Sequence, residues 1–587
     1  MQKKRALSIN SGEDVRGKTL RWVCLIIFVV LATRLVQVQV VQADYYQNLA
    51  KEEHVKRWEL KADRGNIFIK ERSGIVPIAI NSSVYNLSAS PKDMDKADFD
   101  EISDSLGRIT GIKNDEFKDS LEKSEKRGYV QLAKRLSPEV ARKITALKIY
   151  GLFLESIPQR EYPEGRLASH VMGFVNTEGE GQYGVEQFYD KILAGKRGSL
   201  QSLSTADGSP LLLPGDAETV ETPTEQGKDL TLSLDRGLQS RLEEMSRSSY
   251  EKYGASSVSI TVMKAETGKV LAMAGAPDYD PAKYFETEDA EAFKNGNVTD
   301  SEELGSIIKV LTMAAAINEG AVNKDTTYNN TGFVKVGDRT IENATSGHTG
   351  VISMTDVIKY SLNTGVVYAL NQLGGGDING VAKDKLYSYF HDKFNFGERT
   401  GIDVSGENTG IMYSPKDEEG NAVRYSNMTF GHGMTASPIQ AGAALSSVLN
   451  GGSYYKPSVV DSIDGEEHKP ELLRSGVVNN DTAEQIKFMM SQAGYVPKIG
   501  GYRIGAKTGT AQLLENDGTY SKTKERGTAY GFIETGEGTF VVVIKVEAPT
   551  LDYTHFAGTK TAAPILQDSI NWLINYYQPK KLGGTSD

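Results

Sequence analysis

The chain has 587 residues, too many for one ordinary hydrophobic core, so two or more folded domains are expected. A composition that is 39% hydrophobic and 24% charged is that of a globular protein, and a net charge of -11 argues against nucleic acid as a partner. A single cysteine, Cys24, excludes a disulfide framework, a cysteine metal site and a thiol nucleophile in a soluble domain, and the seven histidines show no metal-ligand spacing.

Residues 1–19 form a polar, basic tail. Within it GEDVRGKT, Gly12 to Thr19, fits the phosphate-loop pattern GxxxxGK[ST], but no strand precedes it and an apolar run follows, so no nucleotide site is expected. Leu20 to Val41 is the one long apolar run and matches the roughly 20 residues that span a bilayer as a helix. Lys3, Lys4, Arg5, Arg16, Lys18 and Arg21 precede it, a bias that keeps the N-terminus in the cytoplasm and puts the rest outside. A cleaved signal peptide ending near Val41-Gln42-Ala43 is the rival reading; Arg34 interrupts the apolar region before that site and favours an anchor.

Residues 42–225 are mixed and charge-rich, with solvated helix faces expected across Lys92 to Lys148, and Thr222 to Gly227 marks a boundary. Residues 226–577 then read as strand (DLTLSLD), helix (RGLQSRLEEMSRSSYEKYG) and a hairpin turning at Thr267-Gly268. A mainly helical block follows from Gly305 to about Leu449. RIGAKTGTAQ, GTAYGFIET and GTFVVVIKVEA read as successive strands, and TAAPILQDSINWLINYY as a closing helix before the tail 578–587. Strands on both sides of a helical block predict an α/β domain with an antiparallel sheet.

The chemistry concentrates at three points. ELGSIIKVLTMAAAINEG is a helix apolar on all sides that carries one lysine, Lys309, three residues after Ser306. Positions i and i+3 share a helix face. Burial favours the neutral amine, and lowering a lysine from about 10.4 to about 7–8 costs roughly 4 kcal/mol. A neutral amine beside a hydroxyl is a general base beside a nucleophile. SxxK also occurs at Ser120–Lys123 and Ser521–Lys524, where charged surroundings predict exposure. The second point is Ser361-Leu-Asn363, between two helical pieces; SxN also occurs at Ser8–Asn10 and Ser569–Asn571. The third is Lys507-Thr508-Gly509, the one KTG in the chain, on a strand whose edge could pair with a peptide-like ligand.

SxxK, SxN and KTG in this order are the signature of penicillin-binding proteins and serine β-lactamases. The chain resembles a class B penicillin-binding protein: one N-terminal anchor, an elongated α+β pedestal (42–225) and a transpeptidase domain (226–577) whose antiparallel sheet is flanked by helices. DRGNIF, REYPEGRLASHVMGFV and GQYGVEQFYDKILAGKRG resemble the pedestal elements of that family. TGKVLAMAGAPDYDP, RTGIDVSGENTG, GHGMTASPIQ and HFAGTKTAAPI resemble transpeptidase elements.

The resemblance implies that Ser306 is acylated by the D-Ala–D-Ala terminus of a peptidoglycan stem peptide, with Lys309 taking its proton. Ser361 would relay a proton to the leaving D-alanine, Asn363 would hold the substrate amide, and Lys507 would supply positive charge. Thr508 would bind the terminal carboxylate, Gly509 would give clearance, and the N–H groups of Ser306 and Thr510 would form the oxyanion hole. It implies no cofactor, β-lactams as ligands, the cytoplasmic membrane as location, and a polytopic glycosyltransferase of the division or elongation machinery as partner. Length and the short pedestal resemble the division-type enzyme; an elongation-type enzyme, a β-lactamase-like hydrolase and a non-catalytic β-lactam sensor are the alternatives. Departures from the family pattern are Glu71 in IKERSG, Leu304 before Gly-Ser, Ile307-Ile308 between Ser and Lys, and His432 in GHG.

Overall fold

The computed structural model describes residues 11–43, 45, 55–60, 62–203, 220–515, 519–553 and 555–583; Ser8–Asn10 lies outside them. The chain divides into two compact units, residues 1–63 with 195–226, and residues 64–194 with 227–587.

In the first unit, helix α1 (Ser11–Val36) runs into a π-helical turn, Gln37–Val41. Lys18–Val41 is long and apolar enough to cross a membrane. GEDVRGKT is part of α1, not the glycine-rich loop between a strand and a helix that a phosphate site of this pattern needs. The unit also holds a three-stranded antiparallel sheet, with Gly198–Leu203 between Val55–Leu60 and Val220–Thr222.

The second unit begins with β1 (Ile67–Glu71), β2 (Gly74–Ala89), β3 (Val130–Leu136) and β4 (Leu152–Glu161). The sixteen-residue β2 pairs antiparallel with β1, β3 and β4 in turn. Helices Phe99–Thr110, Asn114–Lys123 and Pro138–Ala146 cover this region and expose the charged residues expected of Lys92–Lys148. Phe99, Leu106, Phe117, Leu121 and Ile144 form their buried seam. The DLTLSLD strand, β5 (Leu230–Asp235), pairs parallel with β1 and antiparallel with Val460–Ile463, so one seven-stranded sheet runs from the pedestal strands into the C-terminal half.

A buried ion network fixes the pedestal end of this unit. The Glu186 carboxylate, fully buried, accepts from Arg64 Nε at 2.7 Å and from Arg160 Nε at 2.8 Å, and Arg64 also reaches Asp190 at 2.8 Å. Removing one partner of such a cluster leaves buried charge uncompensated. Glu186→Ala is therefore expected to cost about 3–5 kcal/mol, read as a fall in the urea midpoint. Glu71, the departure in IKERSG, pairs with Arg236 at 3.2 Å, and Arg236 pairs with Glu164 at 2.7 Å.

The C-terminal half is built on helix α2 (Arg236–Tyr253) and strands β6 (Ser257–Lys264) and β7 (Val270–Ala276), which turn at Gly268 (φ +70°). A short 3₁₀ turn, Gly305–Ile308, leads into α3 (Lys309–Asn318). A hairpin of β8 (Phe333–Val336) and β9 (Arg339–Glu342) interrupts the block expected to be mainly helical, before α4 (Met354–Tyr360) and α5 (Asn363–Leu373). Three long strands follow: β10 (Arg503–Leu514), β11 (Tyr520–Thr535) and β12 (Gly538–Glu547), then α6 (Ala563–Tyr577).

The central sheet has five strands in the order β7-β6-β12-β11-β10, all antiparallel. Along β12, Phe540, Val542, Ile544 and Val546 pack in a core with α2 and α6, while Val541 and Val543 join the α3 core on the opposite face. Burial on both faces explains why GTFVVVIKVEA reads as an unbroken apolar run. β10, the KTG strand, is an edge of the sheet and hydrogen-bonds to β11 alone among the described strands.

Candidate active site

The turn that carries Ser306 begins at Gly305, whose φ of +65° lies in the left-handed region where a side chain is strained. This reversal lets the turn lie against the KTG strand. A Cβ at Gly305 would meet Thr510 O at 2.7 Å, and one at Gly431 would meet Gly305 O at 2.1 Å. In a 3₁₀ turn residues i and i+3 eclipse, which aligns Ser306 with Lys309 more directly than an α-helix would. Ser306 is half-buried, and among the described residues its hydroxyl has no hydrogen-bond partner.

Lys309 is fully buried. Its Nζ donates to Ser361 O at 2.5 Å and approaches Ser361 Oγ at 3.1 Å. Lys507 Nζ, 3% exposed at residue level, reaches the same Oγ at 2.9 Å and donates to Thr508 O at 2.6 Å. Ser361 therefore bridges two lysines that come from different elements, 198 positions apart in sequence (507 − 309). It sits in a left-handed conformation (φ +60°, ψ 43°) that closes α4 and turns its side chain between the two amines. Burial, reinforced by the neighbouring Lys507, holds Lys309 well below the ordinary lysine pKa; burial lowers Lys507 to about 7.

Asn363, at the start of α5, donates its amide to Glu342 O of β9 at 2.8 Å, which fixes the rotation of the side chain. Thr508, Gly509 and Thr510 face Ala529, Thr528 and Gly527 of β11. Gly509, expected to give a ligand clearance, also stands close against the protein's own main chain. A Cβ there would meet Thr528 Oγ1 at 2.4 Å, Leu304 O at 2.7 Å and Ile307 N at 3.1 Å, so its lack of a side chain lets the strand touch the turn that carries Ser306. The Thr510 hydroxyl accepts from Gly558 N–H at 3.1 Å. The eight expected residues thus lie on the 3₁₀ turn with α3, the α4–α5 junction and β10, and direct hydrogen bonds join Lys309, Ser361 and Lys507.

The SxxK pairs at Ser120 and Ser521 and the SxN triplet at Ser569 do not assemble in this way. Ser120 is on a helix and donates to Glu116 O, and Ser569 is buried and donates to Ile565 O. Ser521, expected to be exposed, is 3% exposed on β11, where its Oγ accepts from Lys524 N–H; Lys524 itself is exposed.

Sequence reasoning missed what holds the turn from behind. Thr528 and Tyr530 of β11 donate to Leu304 O, at 2.7 Å, and to Ile307 O; Arg526 Nη1 donates to Glu303 O at 3.0 Å. The signal was present as Arg526, Thr528 and Tyr530 alternating with Gly527, Ala529 and Gly531 along the strand. Glu303, 7% exposed, accepts from Gly433 N–H at 2.6 Å and Tyr520 OH at 3.1 Å. His432 packs edge-on to Tyr520 (centroids 6.1 Å apart), and burial lowers its pKa against the opposing pull of Glu303.

Two family models cover most of the chain: the penicillin-binding protein transpeptidase domain over residues 258–571 and the penicillin-binding protein dimerisation domain over residues 59–232. The chain belongs to the penicillin-binding protein transpeptidase family. This transpeptidase is 30% identical over 555 residues to stage V sporulation protein D of Bacillus subtilis (strain 168), covering 92% of this chain and 82% of that protein. It is 26% identical over 546 residues to the peptidoglycan D,D-transpeptidase FtsI of Escherichia coli (strain K12), covering 91% and 87%. The crystal structure of penicillin-binding protein 2X from Streptococcus thermophilus shares the fold with a TM-score of 0.72 at 22% identity, over 88% of this chain and 80% of that one.

Proposed function

We propose that this transpeptidase cross-links peptidoglycan by transferring the acyl group of a D-Ala–D-Ala stem peptide through Ser306. The observation that carries the assignment is the Ser361 hydroxyl held between Lys309 and Lys507, with Ser306 three residues before Lys309 on the 3₁₀ turn and its hydroxyl without a partner among the described residues. Lys309, kept short of its proton by burial, takes the proton of Ser306 as Oγ attacks the carbonyl of the penultimate D-alanine. Charge develops on the carbonyl oxygen, where the N–H groups of Ser306 and Thr510 receive it. The proton passes by way of Ser361 to the leaving D-alanine, and an amine of a second stem reverses the sequence. Asn363 holds the stem amide, and Thr508 with Lys507 holds the terminal carboxylate. β-Lactams acylate the same serine.

The test supplies glycan polymer bearing pentapeptide stems to the full chain in detergent or vesicles. The expected products are cross-linked dimers with one D-alanine released per link. D-Alanine release without dimers would contradict the reading and favour the hydrolase.

The second-order acylation constant is expected to be bell-shaped in pH. It falls on the acid side as Lys309 takes up a proton, and on the alkaline side as the Lys507 ammonium, titrating at about 7, is lost. Both limbs belong to the coupled pair and lie below the usual lysine value of about 10.4. Stopped-flow acylation with a fluorescent penicillin checks this; a rate that climbs unbroken to about pH 10 would contradict it.

Lys18–Val41 anchors the chain with its basic N-terminus in the cytoplasm and the catalytic half outside, where peptidoglycan lies. The enzyme acts in septal synthesis beside a polytopic glycosyltransferase. The short pedestal, residues 42–225, supports this reading. Depletion in cells is expected to give filaments; loss of rod shape would favour the elongation reading.

A further inference from the structure

Strand β11 presents Arg526, Thr528 and Tyr530 on one face, 2%, 1% and 0% exposed. Each aims a donor at a main-chain carbonyl of the nucleophile segment: Arg526 Nη1 at Glu303 O (3.0 Å), Thr528 Oγ1 at Leu304 O (2.7 Å) and Tyr530 OH at Ile307 O. The guanidinium of Arg526 is itself fixed by Glu547 at 2.5 and 2.8 Å and Glu302 at 2.7 Å. Burial keeps the Tyr530 hydroxyl protonated, so it remains a donor.

A peptide unit is planar, so holding a carbonyl also sets the direction of the N–H that shares its plane. The 304–305 unit is pinned at both ends, its carbonyl by Thr528 and its N–H by Gly431 O at 3.2 Å. Gly305, at φ +65°, is then the one pivot between that unit and the Ser306 N–H. Tyr530 pins the chain again at Ile307, directly after the serine. The Ser306 N–H and Oγ therefore lie between two fixed points on a single rigid strand.

We propose that Arg526, Thr528 and Tyr530 are positioning residues that set the direction of the Ser306 N–H and hydroxyl, and so determine the rate of acylation rather than substrate affinity. This rests on Ser306 being the acylated serine.

The test compares the full-length chain with Thr528→Val, Thr528→Ser and Tyr530→Phe. The concentration dependence of labelling by a fluorescent penicillin separates the pre-covalent Kd from the acylation rate, and a thermal midpoint is taken for each variant. Thr528→Val is expected to slow acylation by about tenfold or more with Kd within about twofold, because a small misplacement of the nucleophile costs rate before binding. Thr528→Ser, which keeps the hydroxyl, restores most of the rate, and Tyr530→Phe follows Thr528→Val.

Wild-type rates in Thr528→Val and Tyr530→Phe would overturn the proposal, as would a serine variant as slow as the valine one, since packing would then be the cause. If Thr528→Val fails to fold, Tyr530→Phe alone decides in the same way. Peptide mapping of the wild-type adduct separates the two claims. An adduct away from Ser306 overturns the site reading; an adduct on Ser306 with unaffected variants overturns only the positioning role.

Discussion

Lys309→Met is expected to slow penicillin acylation by about 10³-fold, within the range of a lost general base, while moving the thermal midpoint by no more than about 4 °C. The rate falls because the thioether cannot accept the Ser306 proton. Stability changes little because two terms oppose. Methionine removes the cost of burying an amine that has no carboxylate within hydrogen-bond reach among the described residues. It also leaves Ser361 O without its donor, a loss of about 1–3 kcal/mol.

The pH dependence separates these terms. The folded-state pKa of Lys309 lies below its unfolded value, so between the two the unfolded chain binds more protons and wild-type stability rises with pH. The Met variant lacks this dependence. Its stability relative to wild type should be highest at acid pH and decline towards about pH 10. A variant equally favoured at all pH values would show that Lys309 is not buried as an amine.

Gly509→Ala is expected to be nearly as damaging although it adds one methyl group and alters no charged side chain. That methyl would need space now filled by Leu304 O, Ile307 N and Thr528 Oγ1, at 2.7, 3.1 and 2.4 Å. Two of the three belong to the main chain of the nucleophile turn, which cannot rotate away as a side chain can. The KTG strand and the turn must separate, which displaces the Ser306 and Thr510 N–H groups proposed as the oxyanion hole. A displacement of about 1 Å in such a site costs on the order of 10²-fold, so acylation should fall by at least that much with the fold retained. Gly380→Ala, with nothing within 4 Å of its added methyl, is the matched control and should acylate at the wild-type rate.

How far the fold could be read from the chain differed by element. Period and spacing were enough where the signal is local. The Ser306–Lys309 pair, the hairpin at Gly268, helix Arg236–Tyr253 and the KTG strand each announce themselves within about 20 residues. Pairing partners were another matter. DLTLSLD alternates like any half-buried strand, and nothing in its seven residues says that it lies parallel to Ile67–Glu71, more than 150 positions earlier. The β8–β9 hairpin was hidden inside a helical expectation because its four-residue strands are too short to show a clear period.

In the site, the side chains with titratable or nucleophilic groups were legible, and the supports were not. Thr528 and Tyr530 matter through the carbonyls they hold, and which carbonyl a strand residue meets depends on packing between β11 and a turn more than 200 positions away. Gly509 was read as clearance for a ligand; its lack of a Cβ also serves the protein's own main chain.

The central claim is that the Ser306 hydroxyl, activated by Lys309, becomes covalently acylated. Incubating the full-length wild-type chain with a labelled penicillin, digesting it and locating the label by mass spectrometry tests this most directly. A single adduct on the peptide bearing Ser306, absent from Ser306→Ala, is the expected result. A label on any other residue, or no stable or transient adduct at all, would contradict it.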